Sequence, residues 1–566
     1  MSPNQTADGK VIHDVGIIGA GPCGLAVAAR LREHSPSALY TDVEHQRFHW
    51  INRHNGRMKV KSERSSAKVG GSAAQEKHSQ PQTPSLQQQP RRPHQASEPA
   101  PMSVVVYDGL SDQWMTGWRR AFRALDIGYL RSPLFFHPDP RDRDGLLAFA
   151  YEENRASELS EIRGVVGKEI SKHLKKKRNP SEHSGSGALQ IDERDRNDYF
   201  TCSSALFEDY CQSIVRRYKL EEMVKRADVQ SIQYDFLGDD LVSDKIFTLS
   251  GSSGVTYART VVVAVGPGSK PTLPVEPSTP ESGATCHSSQ LSTIEFPPTH
   301  LRAKIARHRE TNVLIVGGGL TSAQIADLAI RRGVSKVWHI MRGEMKVKHF
   351  DVDLKWVAKF KNVEKSVFWM ADDDKARFEM IRQARNGGSM TPQFSKILRA
   401  HCKRSCLSIH TNTSIDAKSF DPASKTWNVL LNPGTLRLPP IDYIVYCTGA
   451  ASDVSKLGML ETLRDQYPIK TEGGLPCLTQ DLAWSEDVPC FFTGRLAGLR
   501  LGPGAGNLEG AREGAERVSW GVQEALRLLK KPNLDDYKEE ENVDCCREGH
   551  RDLSIYGNRF DLLEAA

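Results

Sequence analysis

No stretch of the 566 residues approaches 18 uninterrupted apolar positions, which excludes a membrane-spanning helix. The eleven cysteines contain no CxxC pair and no short, regular spacing. That rules against a small disulfide framework and against a redox dithiol, and scattered thiols suit a reducing, cytoplasmic setting. Despite 18 histidines there is no HExxH and no tight His/Cys cluster, so no metal centre is expected. No glycine loop ends in Lys-Ser or Lys-Thr, which disfavours a phosphate-loop nucleotidase. Charge of one sign is scarce as well. The 76 Lys and Arg against 70 Asp and Glu leave +6, too little to mark a nucleic-acid partner. The polar opening, Met1 to His13, lacks the apolar core of a secretory signal.

What is present is enough for large cores. Apolar residues make up 39% of a chain whose length suggests two or three domains. Three segments cannot contribute. Residues 52–101 are rich in Gln, Ser, Pro and basic residues, with Gln87-Gln88-Gln89-Pro90 as an example, and are predicted to be a disordered insertion. Residues 171–195, with Lys175-Lys176-Lys177-Arg178, read as a charged, solvated loop, and 531–566 as a charged tail. Between them the pattern predicts a helix over Ser204–Tyr218 and apolar strands at Val261–Val265 and Tyr443–Cys447. A strand, a glycine-rich turn and a long helix follow from Cys490 to Leu528.

Val15-Gly16-Ile17-Ile18 runs into Gly19-Ala20-Gly21-Pro22-Cys23-Gly24 and a helical stretch, Leu25 to Leu31. In a strand–turn–helix of this kind Gly19 makes the tight turn. Gly21 admits a pyrophosphate to the backbone, and Gly24 lets helix and strand pack closely. The helix N-terminus then offers free N–H groups and a positive dipole end. The next strand is predicted over Ala38–Thr41, followed by Asp42 and Glu44. Either carboxylate suits a ribose diol, Asp42 having the more usual spacing.

The same design recurs at Asn312-Val313-Leu314-Ile315-Val316, followed by Gly317-Gly318-Gly319-Leu320-Thr321-Ser322 and a helix over Ala323–Arg331. Ser322 takes the third glycine's place and is still small. The following strand, Lys336–Met341, ends in Arg342 where the first unit is expected to have an acid. A guanidinium attracts a 2′-phosphate that a carboxylate repels, so NADPH is expected in preference to NADH, with Lys346 and Lys348 nearby. An enzyme using a nicotinamide cofactor alone needs one such unit, whereas a flavoprotein reduced by that cofactor needs two. The fold class is therefore α/β, with two Rossmann-like dinucleotide-binding domains. The FAD-binding domain is discontinuous over 11–51, 102–300 and 440–530, and the NADPH-binding domain spans 301–439.

With these motifs the chain resembles the two-dinucleotide-binding-domain FAD/NADPH-dependent monooxygenases, and among them the N-hydroxylating ornithine/lysine-type enzymes and their fungal relatives. Gly19, Gly21 and Gly24 match the FAD motif, and Gly317, Gly319 and Ser322 the NADPH motif. The strands ending Val265-Gly266 and Thr448-Gly449 also match. So do Leu130-Arg131-Ser132-Pro133 with His137-Pro138-Asp139-Pro140, and Phe350-Asp351-Val352-Asp353-Leu354-Lys355-Trp356. The stretch through Gly494, Gly502 and Asn507 looks like the element that brings a helix N-terminus to the flavin ring. The resemblance implies a monooxygenase that inserts one oxygen atom from O2 into a small organic substrate through a C4a-(hydro)peroxyflavin, N-hydroxylation being one such reaction. Arg131 is a candidate cofactor contact; Trp114 and Trp118 read better as a core face, His137 as structural, and Cys402 and Cys406 as ordinary thiols. Arg495 departs from the pattern, because many relatives have an acid there. Two alternatives stand beside this reading: a flavin oxidase or dehydrogenase without oxygen insertion, and a flavin-binding regulatory protein resembling the oxidative-stress-induced growth inhibitors.

Overall fold

The computed structural model describes residues 5, 9–39, 102–166, 196, 198–238, 244–266, 271, 273–274, 277–357, 361–434 and 436–530. The insertion expected at 52–101, the charged loop at 171–195 and the tail at 531–566 lie outside these residues. So do Asp42 and Glu44.

The fold is mixed α/β, built on two largely parallel sheets. In the first, eight-stranded sheet the strand Ile12–Ile18 is central. It pairs in parallel with Gly254–Val263 on one side and Val104–Asp108 on the other, with Ile17 opposite both Val262 and Val106. Val488–Phe492 extends the sheet in parallel beyond Gly254–Val263, and Val224–Arg226 extends it beyond Val104–Asp108. Val15, Ile17 and Val261–Val263 are fully buried, as strands covered on both faces must be. The near end of Gly254–Val263 also turns back antiparallel onto Ile246–Gly251, which pairs with Val229–Asp235.

One prediction fails here. Ser37–Leu39 is a short 3-10 turn, not the start of the strand expected at Ala38–Thr41. The strand that follows the first helix, Pro22–Arg30, beside Ile12–Ile18 is Val104–Asp108, on the far side of the insertion. A single Ala-Leu-Tyr-Thr run has too little apolar material to compete with Val104-Val105-Val106 for that position.

The second sheet has five strands, all parallel, in the order Leu407–His410, Lys336–Ile340, Asn312–Val316, Tyr443–Tyr446, Thr285–His287. Two of its strands come from outside the boundaries expected at 300/301 and 439/440. Thr285–His287 and Tyr443–Tyr446 pair here, next to Asn312–Val316, and not with the first sheet. Short strands show which sheet they join only when the partner register is seen.

A third cluster ties the two units together. Phe135 and Phe136 from the first pack with Phe350, Trp356, Phe368 and Ile381, from within the expected NADPH-binding stretch, and with Leu475 and Leu499. Burying each large apolar side chain is worth about 1.5–3 kcal/mol, so this cluster anchors Phe350, Trp356, Phe368 and Ile381 to the first unit. The Pro-rich turn around His137 is held by a buried polar network. Asp139 accepts hydrogen bonds from the Tyr210 hydroxyl at 2.9 Å and from Arg217 at 2.5 Å. Burial lowers the His137 pKa to about 4, so it is neutral and bonds the Arg143 carbonyl at 2.9 Å, a structural role as expected. Trp114 is also core, its indole N–H donating to the Leu220 carbonyl at 2.8 Å.

Candidate cofactor-binding sites

The first glycine turn lies at the carboxyl edge of the first sheet. The Gly19 N–H donates to the Tyr107 carbonyl at 2.7 Å, and its φ of +110° is open only to glycine at acceptable cost. A Cβ at Gly24 would stand 2.0 Å from the Gly19 carbonyl oxygen, so helix and turn touch backbone to backbone. Gly21 differs: nothing lies within 4 Å of its Cβ position. Gly21 caps the helix without a side-chain hydrogen bond, and Pro22 brings no N–H. The helix N-terminus therefore opens into space beside an uncapped, positive end, the geometry that a pyrophosphate needs.

Two further elements meet this turn. Thr493 N–H bonds the Val263 carbonyl at 3.2 Å, which places Gly494 so that its Cβ position lies 3.3 Å from the Cys23 sulfur. Burial raises the Cys23 thiol pKa to about 11. On the other flank Asp108 ends the neighbouring strand, and its carboxylate accepts the Ala20 N–H at 2.9 Å and the Leu110 N–H at 2.8 Å. Asp108 occupies the strand-end position that sequence reasoning assigned to Asp42 or Glu44. The insertion carries Asp108 far beyond the usual spacing of ~20 residues from the glycine turn, and Asp42 and Glu44 lie outside the described residues. The apolar run of Val104-Val105-Val106 just before it was the available signal.

The second turn repeats the design. The Gly317 N–H donates to the Ile340 carbonyl at 3.0 Å, and a Cβ on Gly317 would lie 2.5 Å from the Cys447 carbonyl oxygen. His339 is buried and its pKa is lowered to about 4, so its neutral ring donates from Nε2 to the Gly317 carbonyl at 2.7 Å. Gly319 caps the helix Leu320–Arg331 without a side-chain bond. Ser322 is fully buried, and its hydroxyl donates to the Gly319 carbonyl at 2.7 Å, so the small third residue also braces the turn. Arg342 stands exposed just past Lys336–Ile340 and makes no hydrogen bond or ion pair among the described residues. Lys346 and Lys348 are not free beside it. Lys346 donates to the Asn386 carbonyl and side chain, and Lys348 to the Ala384 and Arg385 carbonyls.

Arg131 corrects an expectation. Instead of reaching toward a cofactor, its guanidinium donates to the carbonyls of Lys348, His349, Phe350 and Ser389 and to the Ser389 hydroxyl. Burial lowers its pKa to about 10, with Asp351 opposing the shift. It is a staple between the first unit and the segment after Arg342.

Gly502 and Asn507 lie together next to this segment. The Gly502 Cβ position is 3.8 Å from the Phe368 ring. The Asn507 amide donates to Asp351 at 3.0 Å, and Asp351 also holds Arg385 at 2.9 Å. Arg385 in turn donates to the Pro503 carbonyl at 3.1 Å. Arg495 lies over Gly506, whose Cβ position is 2.6 Å from its Cγ; surrounding protein lowers its pKa, and Arg385 lowers it further. Asp351, Arg385 and Arg495 thus surround the turn before the helix Leu508–Lys530, an arrangement that no linear motif announced.

Residues 196–405 match the family described as L-lysine 6-monooxygenase/L-ornithine 5-monooxygenase. Over that stretch the chain is similar to the lysine/ornithine monooxygenases. Solved structures agree on the fold of these relatives. The ornithine N-hydroxylase of Kutzneria sp. 744, described with reduced FAD, NADP+ and L-ornithine, has a TM-score of 0.56 at 15% identity, covering 91% of this chain and 99% of that one. The ornithine hydroxylase of Pseudomonas aeruginosa scores 0.55 at 14% identity, covering 91% and 100%. The L-lysine 6-monooxygenase of Pseudomonas syringae scores 0.54 at 14% identity, again covering 91% and 100%. No curated protein sequence matches the chain. Among the described residues no helix is long and apolar enough to cross a membrane, and no cluster of side chains is arranged to hold a metal ion.

Proposed function

We propose that the chain is an FAD-dependent, NADPH-reduced monooxygenase that transfers one oxygen atom from O2 to a small organic substrate, with N-hydroxylation of an amine the reaction that the family match favours. The observation that carries this reading is the pairing, in one chain, of two uncapped glycine turns at the carboxyl edges of two parallel sheets. The fold is read as two Rossmann-like units. The first holds FAD through the Gly19–Gly24 turn, with Asp108 on the ribose and Gly494 closing over Cys23. The open space at Gly21 and the uncapped helix end fit a pyrophosphate there. The second holds NADPH through Gly317, Gly319 and Ser322, with Arg342 on the 2′-phosphate. A free, exposed cation at that strand end is the donor set such a phosphate requires. Held by these residues, the two cofactors would supply hydride transfer to flavin and the activation of dioxygen.

The chain's own residues supply position and charge. Arg131 fixes the 348–350 backbone against the first unit. Asn507 and Arg385 hold Asp351 beside the turn that precedes the last helix, whose N-terminal dipole favours negative charge at that point. Phe368 packs against Gly502, its ring 3.8 Å from the Gly502 Cβ position. A cytoplasmic setting belongs to the same proposal.

Stopped-flow mixing of the FAD-loaded protein with NADPH tests the reading, followed by a screen of amines, amino acids, thiols and aldehydes with product mass measured. Rapid loss of flavin absorbance and a product heavier by one oxygen atom are expected. Purified protein that stays colourless and refuses added FAD refutes the proposal, and stoichiometric peroxide with an unoxygenated product points to the oxidase.

A further inference from the structure

A second site lies between the two units, along the helix that follows the second glycine turn and outside the glycines of both turns. A cavity of about 800 Å³ runs along the outer face of the helix Leu320–Arg331. That volume falls within the usual range for sites that enclose a small ligand. None of residues 19–24, 317–319, 342 or 494–507 lines it. Its other walls are the segment from Phe122 to Arg131, residues 160–163 and the first turn of the helix Pro392–Lys403.

Gln324 indicates that the cavity takes a polar ligand. It lines the cavity, is only 8% exposed, and its amide makes no hydrogen bond among the described residues. The amide therefore stands open to the cavity, where a bound molecule can pair with it. Phe122, Leu125, Ile127, Ile162 and Phe394 give the walls their apolar part.

Charge sets the sign of the ligand. The acids on the walls are already paired: Asp126 with Arg331 at 2.5 Å, Asp327 with Arg331 at 2.8 Å and with His401 at 2.7 Å, and Glu161 with Arg196 at 3.5 Å. Arg163 and Lys396 also line the cavity, are exposed, and pair with no acid among the described residues. The N-terminus of the helix Pro392–Lys403, capped by Thr391, opens on the same space and adds a positive dipole end. We propose that this cavity binds a small amphipathic monoanion, an aromatic or medium-chain carboxylic acid, with its tail on the apolar walls and its carboxylate toward Arg163, Lys396 and the helix end. The Gln324 amide supplies a further hydrogen bond. The inference stands independently of the cofactor assignment.

Isothermal titration calorimetry on the full-length protein tests it, with decanoate as the probe and decylamine as a cation of the same tail. Saturable one-site binding is expected for decanoate and not for decylamine. Arg163→Glu combined with Lys396→Glu is expected to weaken decanoate by about tenfold or more, and Gln324→Leu to weaken it several-fold. Saturating NADP+ should leave the decanoate affinity unchanged, because the turns at 317–319 lie outside the cavity. Equal binding of decylamine, wild-type affinity in either variant, competition by NADP+, or no saturable decanoate binding at all overturns the proposal. The readout is heat of binding and is unaffected by whether the protein carries flavin or turns over.

Discussion

Replacing Arg342 by Ala separates cofactor recognition from folding more cleanly than any other change in the molecule. The side chain is exposed and makes no ion pair or hydrogen bond among the described residues. Its removal should therefore move the unfolding free energy by no more than about 0.5 kcal/mol. If it meets the 2′-phosphate of NADPH, the lost charge-assisted contact is worth about 1.5–3 kcal/mol, or about ten- to a hundredfold in kcat/KM. NADH, which lacks that phosphate, should lose nothing. The assay is the rate of flavin reduction with each nicotinamide cofactor in wild type and variant, run at low and high salt. The wild-type preference for NADPH should shrink as salt rises, because an exposed cation is screened over about 8–10 Å at 0.1–0.15 M, and the variant should show little such dependence. Equal losses with NADH and NADPH, or a lowered unfolding midpoint, would refute the assignment. Lys346→Ala is the contrast: its amine is tied to Asn386, so it should loosen the 386–389 loop without altering the cofactor preference.

Gly24→Ala puts a Cβ 2.0 Å from a backbone oxygen, whereas Gly21→Ala meets nothing within 4 Å. The first should cost about 3 kcal/mol or more and yield colourless, poorly folded protein. The second should fold with near-native midpoint but bind FAD weakly, as read by flavin absorbance and thermal melting; equal behaviour of the two would sink the turn assignment. Arg131→Ala strips five hydrogen bonds from buried or half-buried acceptors and should destabilise the protein by about 3–5 kcal/mol in urea unfolding, with Arg131→Lys recovering only part because it lacks the planar fork. An unchanged urea midpoint would contradict the staple. His137 and His339 both have folded pKa values of about 4, below the ordinary 6.5, so the unfolded chain takes up protons first. Stability should be complete above about pH 6.5 and fall as pH drops toward 4, by about 2 kcal/mol per histidine at pH 5. His339→Gln should flatten that slope in urea midpoints measured between pH 7 and 5; a wild-type midpoint that holds steady or rises over this range would exclude buried neutral imidazoles.

Both glycine turns, their flanking strands and helices, and the small residue at Ser322 were legible because each depends on local rules: apolar runs, tight turns and close approach over a few residues. Arg342 was legible for the same reason, lying just past a short, uninterrupted strand. The acid proposed for the first unit, Asp108, was not. Its strand is separated from the first helix by the insertion, and pairing with Ile12–Ile18, not spacing, selects Val104–Asp108. Arg131 illustrates a second limit. Its residue type suggested a cofactor contact, but hydrogen bonds spanning more than two hundred positions send it to backbone carbonyls instead. The membership of Thr285–His287 and Tyr443–Tyr446 in the second sheet, the Asp351–Arg385–Asn507 grouping and the cavity beside Gln324 all arise from contacts between distant segments. Local patterning decided which pieces form and where the two tight glycine turns fall. Only long-range packing, which depends on shape and register and leaves no periodic trace in a chain, decided which acids, amides and guanidinium groups stand around them.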